Sequence, residues 1–180
     1  MTEPAGRATV AVVVTVSDGV SAGEREDVSG PAVAARLAVL GWSVQRLVVP
    51  DDRPRIAAAI ADAAVRGRLV VTTGGTGLAP RDVTPEATSD VVERIIPGIA
   101  EAMRTAGRAS TPRADLGRGM AGTIRDALVV NLPGSPRGAI ESLGAIEAVL
   151  SHAIETLAGP YDHGPAPGDE DAPRKSRERP

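Results

Sequence analysis

The stretch that most constrains this chain runs from Leu69 to Ala87 and reads LVVTTGGTGLAPRDVTPEA. Leu69-Val70-Val71 is a short apolar run of the kind that forms a strand buried on both faces. Gly74-Gly75-Thr76-Gly77 follows, and glycine lets the backbone turn sharply and bring its N–H groups up to a ligand. Thr84-Pro85-Glu86 reads as a helix start, with Thr84 as N-cap, Pro85 at the first helical position and an acid in the first turn. Strand, glycine turn and helix N-terminus together make an anion site from main-chain dipoles. The spacing is not that of a P-loop, which needs Gly-Lys-Ser/Thr, nor that of the dinucleotide fingerprint. Many glycine-rich turns in α/β proteins bind nothing, so the turn alone leaves phosphate binding and a plain connection evenly matched. Arg81 and Asp82, side by side between the glycines and the helix, tip the balance toward a site.

The elements before this stretch define its setting. Ala8–Val16 (ATVAVVVTV) is dominated by Val and leads into Ser17-Asp18-Gly19, which fits a buried first strand better than a secretory leader. An acid- and glycine-rich loop follows, and Ser29-Gly30-Pro31 opens a helix with Val33, Leu37 and Leu40 on one face and Gly41 at its end. Trp42–Val49 reads as the second strand. Asp52 can cap a helix whose buried face is Ile56, Ile60 and Ala64, closed by Gly67. The order is βαβαβ with short connections, which implies a parallel sheet with right-handed crossovers and helices on its faces. Ligands of such sheets bind outside the carboxyl ends of the strands. Asp18, Asp51, Gly74–Gly77 and Asp82 all leave those ends, so the topology brings them together.

In the second half, Val91, Val92 and Ile95 are expected to face inward on the helix after Thr84, and Ile99, Met103 and Ala106 mark another helix after Pro97-Gly98. Ala109–Gly119 is a polar excursion whose Arg113, Asp115 and Arg118 are within reach of the site. Thr123-Ile124 and Leu128-Val129-Val130 flank Arg125-Asp126 as a hairpin. Asn131-Leu132-Pro133-Gly134-Ser135-Pro136 repeats the earlier design, with a buried strand, the turn residues Gly134 and Ser135, and Ser135 as cap before Pro136. The closing helix buries Ile140, Leu143, Leu150, Ile154 and Leu157. The expected domain spans residues 8–159, between a flexible N-terminus (1–7) and a disordered, charged, Pro/Gly-rich tail (160–180).

Composition narrows the chemistry. There is no Cys, the only Lys is Lys175 in the tail, and the only histidines are His152 and His163. A Schiff-base lysine, a Ser-His-Asp triad and a His-based zinc site are therefore disfavoured, and His152 falls in an apolar helix pattern as a packing residue. With no Phe, one Trp and one Tyr, the chain lacks the rings on which single-stranded nucleic acid stacks. A formal charge of −3 gives no general pull toward nucleic acid or acidic membranes, and no run approaches the roughly 18 apolar residues of a membrane span. The absence of Cys is compatible with the cytoplasm. Two main-chain anion cradles, several arginines and three acids at one sheet edge suit phosphate-bearing ligands and Mg²⁺. Phosphoryl and nucleotidyl transfer need mostly positioning and charge neutralisation.

Three blocks, TVSDGVSAGEREDVSGP (Thr15–Pro31), TTGGTGLAPRDVTPEAT (Thr72–Thr88) and NLPGSPRGAIESL (Asn131–Leu143), resemble the molybdopterin adenylyltransferase family, whose domain is shared with gephyrin. VVPDD (Val48–Asp52) and PGIAEAMR (Pro97–Arg104) match in position, so the resemblance spans roughly Ala8 to Gly159. Ile99 stands where the family often has an aromatic. The resemblance implies a three-layer α/β/α sandwich with a mostly parallel sheet, a homotrimer, and Mg-ATP-dependent adenylylation of molybdopterin with release of pyrophosphate. It places Asp51 and Asp82 on the two catalytic acids, near Mg²⁺. Gly74, Gly75, Thr76 and Gly77 would hold the terminal phosphate of molybdopterin, and Ser17, Asp18, Gly134 and Ser135 would line the pterin and nucleotide pockets, with Arg81 a further charge near the phosphates. The molybdate-inserting enzyme of the same pathway is the implied partner. A non-catalytic pterin carrier of the same fold and a structural domain that serves a partner are the alternatives, and the presence of both acids favours the enzyme over the carrier.

Overall fold

The computed structural model describes residues 9–159; the expectations for 1–7 and 160–180 lie outside the described residues. In chain order the elements are β1 (Val10–Val16), α1 (Asp18–Ser21), α2 (Ser29–Val39), β2 (Ser43–Val49), α3 (Arg53–Arg66), β3 (Leu69–Thr73), α4 (Thr84–Ser89), β4 (Arg94–Ile95), α5 (Pro97–Arg108), a 3-10 turn (Pro112–Leu116), β5 (Ala121–Ile124), β6 (Ala127–Leu132) and α6 (Pro136–Ala158). They build one six-stranded sheet in the order β2-β1-β3-β6-β5-β4. The first four strands in that order run parallel, and β5 and β4 add antiparallel at the edge.

Successive residues of a strand point to opposite faces, and here both faces are covered. Ala11, Val13, Leu69, Val71, Leu128 and Val130 pack with Val33 and Leu37 of α2, Met103 of α5 and Leu143, Ile146 and Leu150 of α6. Their neighbours Val12, Val14, Val70 and Val129 pack on the other face with Ile56, Ile60 and Ala63 of α3 and Ala87 of α4. That double burial is why residues 11–14 of β1, 69–71 of β3 and 127–130 of β6 read as unbroken apolar runs. The expected three-layer α/β/α sandwich with a mostly parallel sheet is what the chain forms.

Local chemistry sets most of the boundaries. The Asp52 carboxylate accepts the Arg55 N–H at 3.0 Å and starts α3. Ser135 Oγ accepts the Gly138 N–H at 3.2 Å and starts α6. Gly41 takes φ 92 after α2, with its N–H on Ala38 O and the Trp42 N–H on Leu37 O, a left-handed helix stop.

The region after Thr84 departs from expectation. Thr84 does not cap α4: the residue before the helix is Val83, with no side-chain cap, and Thr84 turns inward. The helix ends at Ser89, so Val91 and Val92 are only half-buried, and Ile95 is 61% exposed on β4 rather than facing inward on a helix. The sheet edge explains the switch. The Glu93 and Ile96 N–H groups donate to Thr123 O and Ala121 O, and Gly122 leaves room for the approach, since a Cβ there would lie 2.6 Å from Arg94 O. Pairing with β5 outweighs the helical pattern. Leu40 and His152 are exposed rather than packed: Leu40 stands just past the last residue of α2, and His152 lies on the outer side of α6.

Candidate functional site

β1, β2, β3 and β6 run parallel, so their carboxyl ends open on one rim. From β1 the chain crosses to β2 on one side and then returns to β3 on the other, so the strand order reverses between β1 and β3, the place where open α/β sheets bind ligands. Two cavities lie there. One, of about 490 Å³, is lined by Ser17 after β1, Asp51 after β2, Gly74 and Gly75 after β3, Asp82, and Gly134 after β6. The other, of about 590 Å³, is lined by Gly75, Thr76, Gly77 and Asp82, by Gly134 and Ser135, and by Arg104 and Arg113. Gly75, Asp82 and Gly134 belong to both, so the cavities meet at these three residues.

The glycine turn owes its shape to contacts that exclude side chains. Gly74 and Gly75 take φ 104 and φ 61, values open to glycine and strained for other residues. A Cβ on Gly74 would stand 2.2 Å from Val16 O, and one on Gly134 would stand 3.1 Å from the Gly74 Cα, so the two turns touch. Thr84 fastens the turn from below. Its hydroxyl donates to Gly74 O at 2.9 Å and its N–H to Gly75 O at 3.0 Å. Behind it runs a buried polar chain: Thr88 Oγ1 donates to Thr84 O, and the Asn131 amide donates to Thr72 Oγ1 at 3.0 Å and to Thr88 Oγ1 at 2.9 Å. The side chains of Asn131, Thr72, Thr84 and Thr88 thus find partners without water, which fixes the turn against β3 and β6.

Several main-chain donors at these turns stay unpaired. The Gly74 N–H donates to Leu132 O at 3.3 Å. No acceptor among the described residues takes the N–H groups of Gly75, Thr76 and Gly77, or those of Gly134 and Ser135. At the first turn the free amides follow the left-handed Gly74-Gly75 pair, the arrangement of an anion cradle.

The acids divide into two kinds. Asp18 and Asp51 hold each other's loops: the Asp51 carboxylate accepts the Asp18 N–H at 2.8 Å, and the Asp18 carboxylate accepts the Asp51 N–H at 3.0 Å. The other Asp18 oxygen pairs with Arg81 at 2.5 Å, so both its oxygens are engaged and it lines neither cavity. Asp82 Oδ2 accepts the Ala79 N–H at 2.8 Å. Asp51 Oδ1 and Asp82 Oδ1 accept no hydrogen bond from the described residues. Each of these acids therefore has one oxygen without a donor among the described residues, and both line the same cavity. No cluster of three acids, histidines or cysteines forms a complete metal nest among the described residues. Mg²⁺ suits this donor set, because one or two carboxylates and substrate phosphates hold it while it keeps several waters.

The supports of the site were not expected from the sequence. Arg25 donates to Ser17 Oγ at 2.8 Å. Asp27 accepts from Thr15 Oγ1 at 2.8 Å and from the Gly30 N–H at 2.9 Å, capping the first turn of α2 from one residue before Val28, which offers no side-chain cap itself. Asp27 stands three residues before Gly30, a spacing that could have shown this cap. Of the three excursion residues expected near the site, Arg113 lines the larger cavity and Arg118 reaches the glycine loop, while Asp115 pairs outward with Arg108. Arg104, also on the larger cavity, has no acidic partner among the described residues.

The chain resembles known proteins over most of this length. Residues 12–152 match the family described as "Probable molybdopterin binding domain". A "Molybdopterin adenylyltransferase" of Helicobacter pylori is 36% identical over 154 residues, covering 83% of this chain and 88% of that protein. A "Molybdenum cofactor biosynthesis bifunctional protein" of Synechococcus elongatus is 38% identical over 160 residues, covering 88% of this chain; the chain spans half of that relative's length. Among solved structures, one described as the anomalous substructure of MogA superposes with a TM-score of 0.79 at 41% identity, covering 82% of this chain and 99% of the other.

Proposed function

The chain belongs to the family described as "Probable molybdopterin binding domain", and on that premise we propose that it is a molybdopterin adenylyltransferase of molybdenum cofactor biosynthesis. Relatives of similar length bearing that name support the activity. One structural observation carries the reading: two cavities share a wall made of Gly75, Asp82 and Gly134. Two phosphate-bearing substrates, one in each cavity, would meet at that wall.

An oxygen of the terminal phosphate of molybdopterin forms a bond to the α-phosphorus of ATP. The bond from that phosphorus to its bridging oxygen breaks, and pyrophosphate leaves with the electron pair. The step asks the protein for alignment and for offset of negative charge. The free amides of Gly75, Thr76 and Gly77 hold the pterin's phosphate, and those of Gly134 and Ser135 face the second anion. Asp51 and Asp82 are the catalytic acids and would together hold Mg²⁺ through their free oxygens. Bound there, the ion offsets charge on the phosphate oxygens. Ser17 lines the smaller cavity. Asp18 serves by locking Asp51 in place, and Arg81 by neutralising Asp18. We place the protein in the cytoplasm as a homotrimer that hands its product to the molybdate-inserting enzyme of the pathway.

The test is to incubate the protein with molybdopterin and Mg-ATP and to follow pyrophosphate and the adenylylated pterin. Asp82→Asn is expected to abolish product while molybdopterin binding persists. Binding without pyrophosphate release by the unmodified chain would instead identify a carrier, and normal turnover by the Asn variant would remove Asp82 from the chemistry.

A further inference from the structure

We infer that Arg118, which lies outside all three glycine- and acid-bearing motifs, is a positioning residue that aims the main-chain donors of the Gly74–Gly77 turn at a phosphate. The inference rests on the adenylyl transfer proposed above and assigns the device that shapes its anion cradle.

The carbonyls of the turn are all held from one set of anchors. Thr84 takes Gly74 O with its hydroxyl and Gly75 O with its N–H. Arg118 takes the next two: its N–H donates to Thr76 O at 3.0 Å and its Nε to Gly77 O at 2.7 Å. In a planar trans peptide the C=O and the following N–H point in opposite directions. Holding Thr76 O and Gly77 O therefore directs the N–H groups of Gly77 and Leu78 away from Arg118. Neither has an acceptor among the described residues, and both residues line the larger cavity. The same guanidinium holds the far end of the loop, with Nη2 donating to Asp82 O at 2.5 Å. One side chain thus sets the distance between the donors and the acid.

Glu86 completes the clamp. It pairs with Arg118 Nη1, and its second oxygen, Oε2, is buried without a partner. A carboxylate left half-satisfied there is accounted for by its use as counter-charge to the arginine. Arg118 itself is held in place because its segment lies against β6: the Asn131 N–H donates to Met120 O at 2.9 Å, and a Cβ on Gly119 would stand 2.6 Å from Asn131 O. Nothing in the spacing of the glycine motif announces a residue 36 positions beyond Asp82.

Arg118→Lys separates this role from general support of the fold. Lysine keeps the charge beside Glu86 but lacks the planar fork that spans two carbonyls. We expect the KM for molybdopterin to rise about tenfold, the energy scale of one charge-assisted hydrogen bond. We expect kcat to fall about a hundredfold, as when reacting groups are slightly misplaced, with the KM for ATP changed less than about twofold. A merely structural residue would lower the active fraction and leave both KM values alone. Inorganic phosphate gives a readout free of turnover. In the unmodified chain it should shift the amide resonances of Gly77 and Leu78, and Arg118→Lys should need about tenfold more phosphate for the same shift. Glu86→Gln, which keeps an acceptor but removes the charge, should move both readouts in the same direction by less. Unmoved KM values, or phosphate shifts equal in the two chains, would overturn the role of Arg118 alone. An unmodified chain that releases no pyrophosphate would overturn the transfer reaction and with it any role in that reaction.

Discussion

The two glycine turns at the rim sit side by side, and they are built in different ways. The turn at Gly134-Ser135 is local. None of its residues has a positive φ, and Ser135 caps a 23-residue helix with its own hydroxyl. The turn at Gly74–Gly77 is tertiary. It needs two left-handed glycines, leads to a helix of only six residues with no side-chain cap, and is fastened by Thr84 below and Arg118 across. A long helix stabilises its own start, whereas a short one cannot. The second turn therefore survives on sequence-local capping, and the first depends on residues that arrive from elsewhere in the chain.

Breaking the two turns in parallel should expose this contrast. The largest effect is expected from Gly74→Ala, which adds a Cβ within 2.2 Å of Val16 O at φ 104; strain and overpacking together should cost about 3–5 kcal/mol in denaturant unfolding. Gly134→Ala meets the Gly74 backbone, Cα at 3.1 Å and N at 3.7 Å, with no positive φ, and should cost about 1 kcal/mol in the same assay. Equal losses would mean that both turns are equally strained. Next comes Thr84→Val, which removes the hydroxyl on Gly74 O in a fully buried setting and should cost about 2 kcal/mol. Ser135→Ala removes an exposed cap and should cost about 1 kcal/mol. Thr84→Val should also weaken phosphate binding at Gly77, which would sharpen the link between the buried hydroxyls and the cradle.

The smallest expected effect is on pH. The hydrogen bond from Arg118, foremost, holds the Glu86 carboxyl below its ordinary value of 4.5. A depressed carboxyl contributes stability that is present above 4.5 and is lost as pH falls through its lower value in the folded chain. Acid should thus loosen the first turn before the second, whose cap is an uncharged hydroxyl. Unfolding midpoints measured downward from pH 4.5 should fall less steeply in Glu86→Gln than in the unmodified chain. Parallel curves would show that this pair contributes nothing at the surface it partly shares with solvent.

Much of this was legible in the chain before any coordinates. The Val-rich runs around Val12, Val70 and Val129 announced strands buried on both faces, and the alternation of elements implied their parallel order. Asp52, Gly41 and Ser135 marked helix ends through hydrogen bonds that span three to five residues. Such signals are short in range, so one sequence determines them: the sheet, its layers, and the rim where Asp51, Asp82 and the glycines meet. What only the tertiary structure decided lies in partners tens of positions apart. It cut α4 short because β5 offered Arg94 and Ile95 a strand to pair with. It engaged Asp18 with Asp51 and Arg81, and it carried Arg118 across to Gly77. A carboxylate or a guanidinium is written in the sequence, but its partner is chosen by which loops the packed sheet brings within about 3 Å.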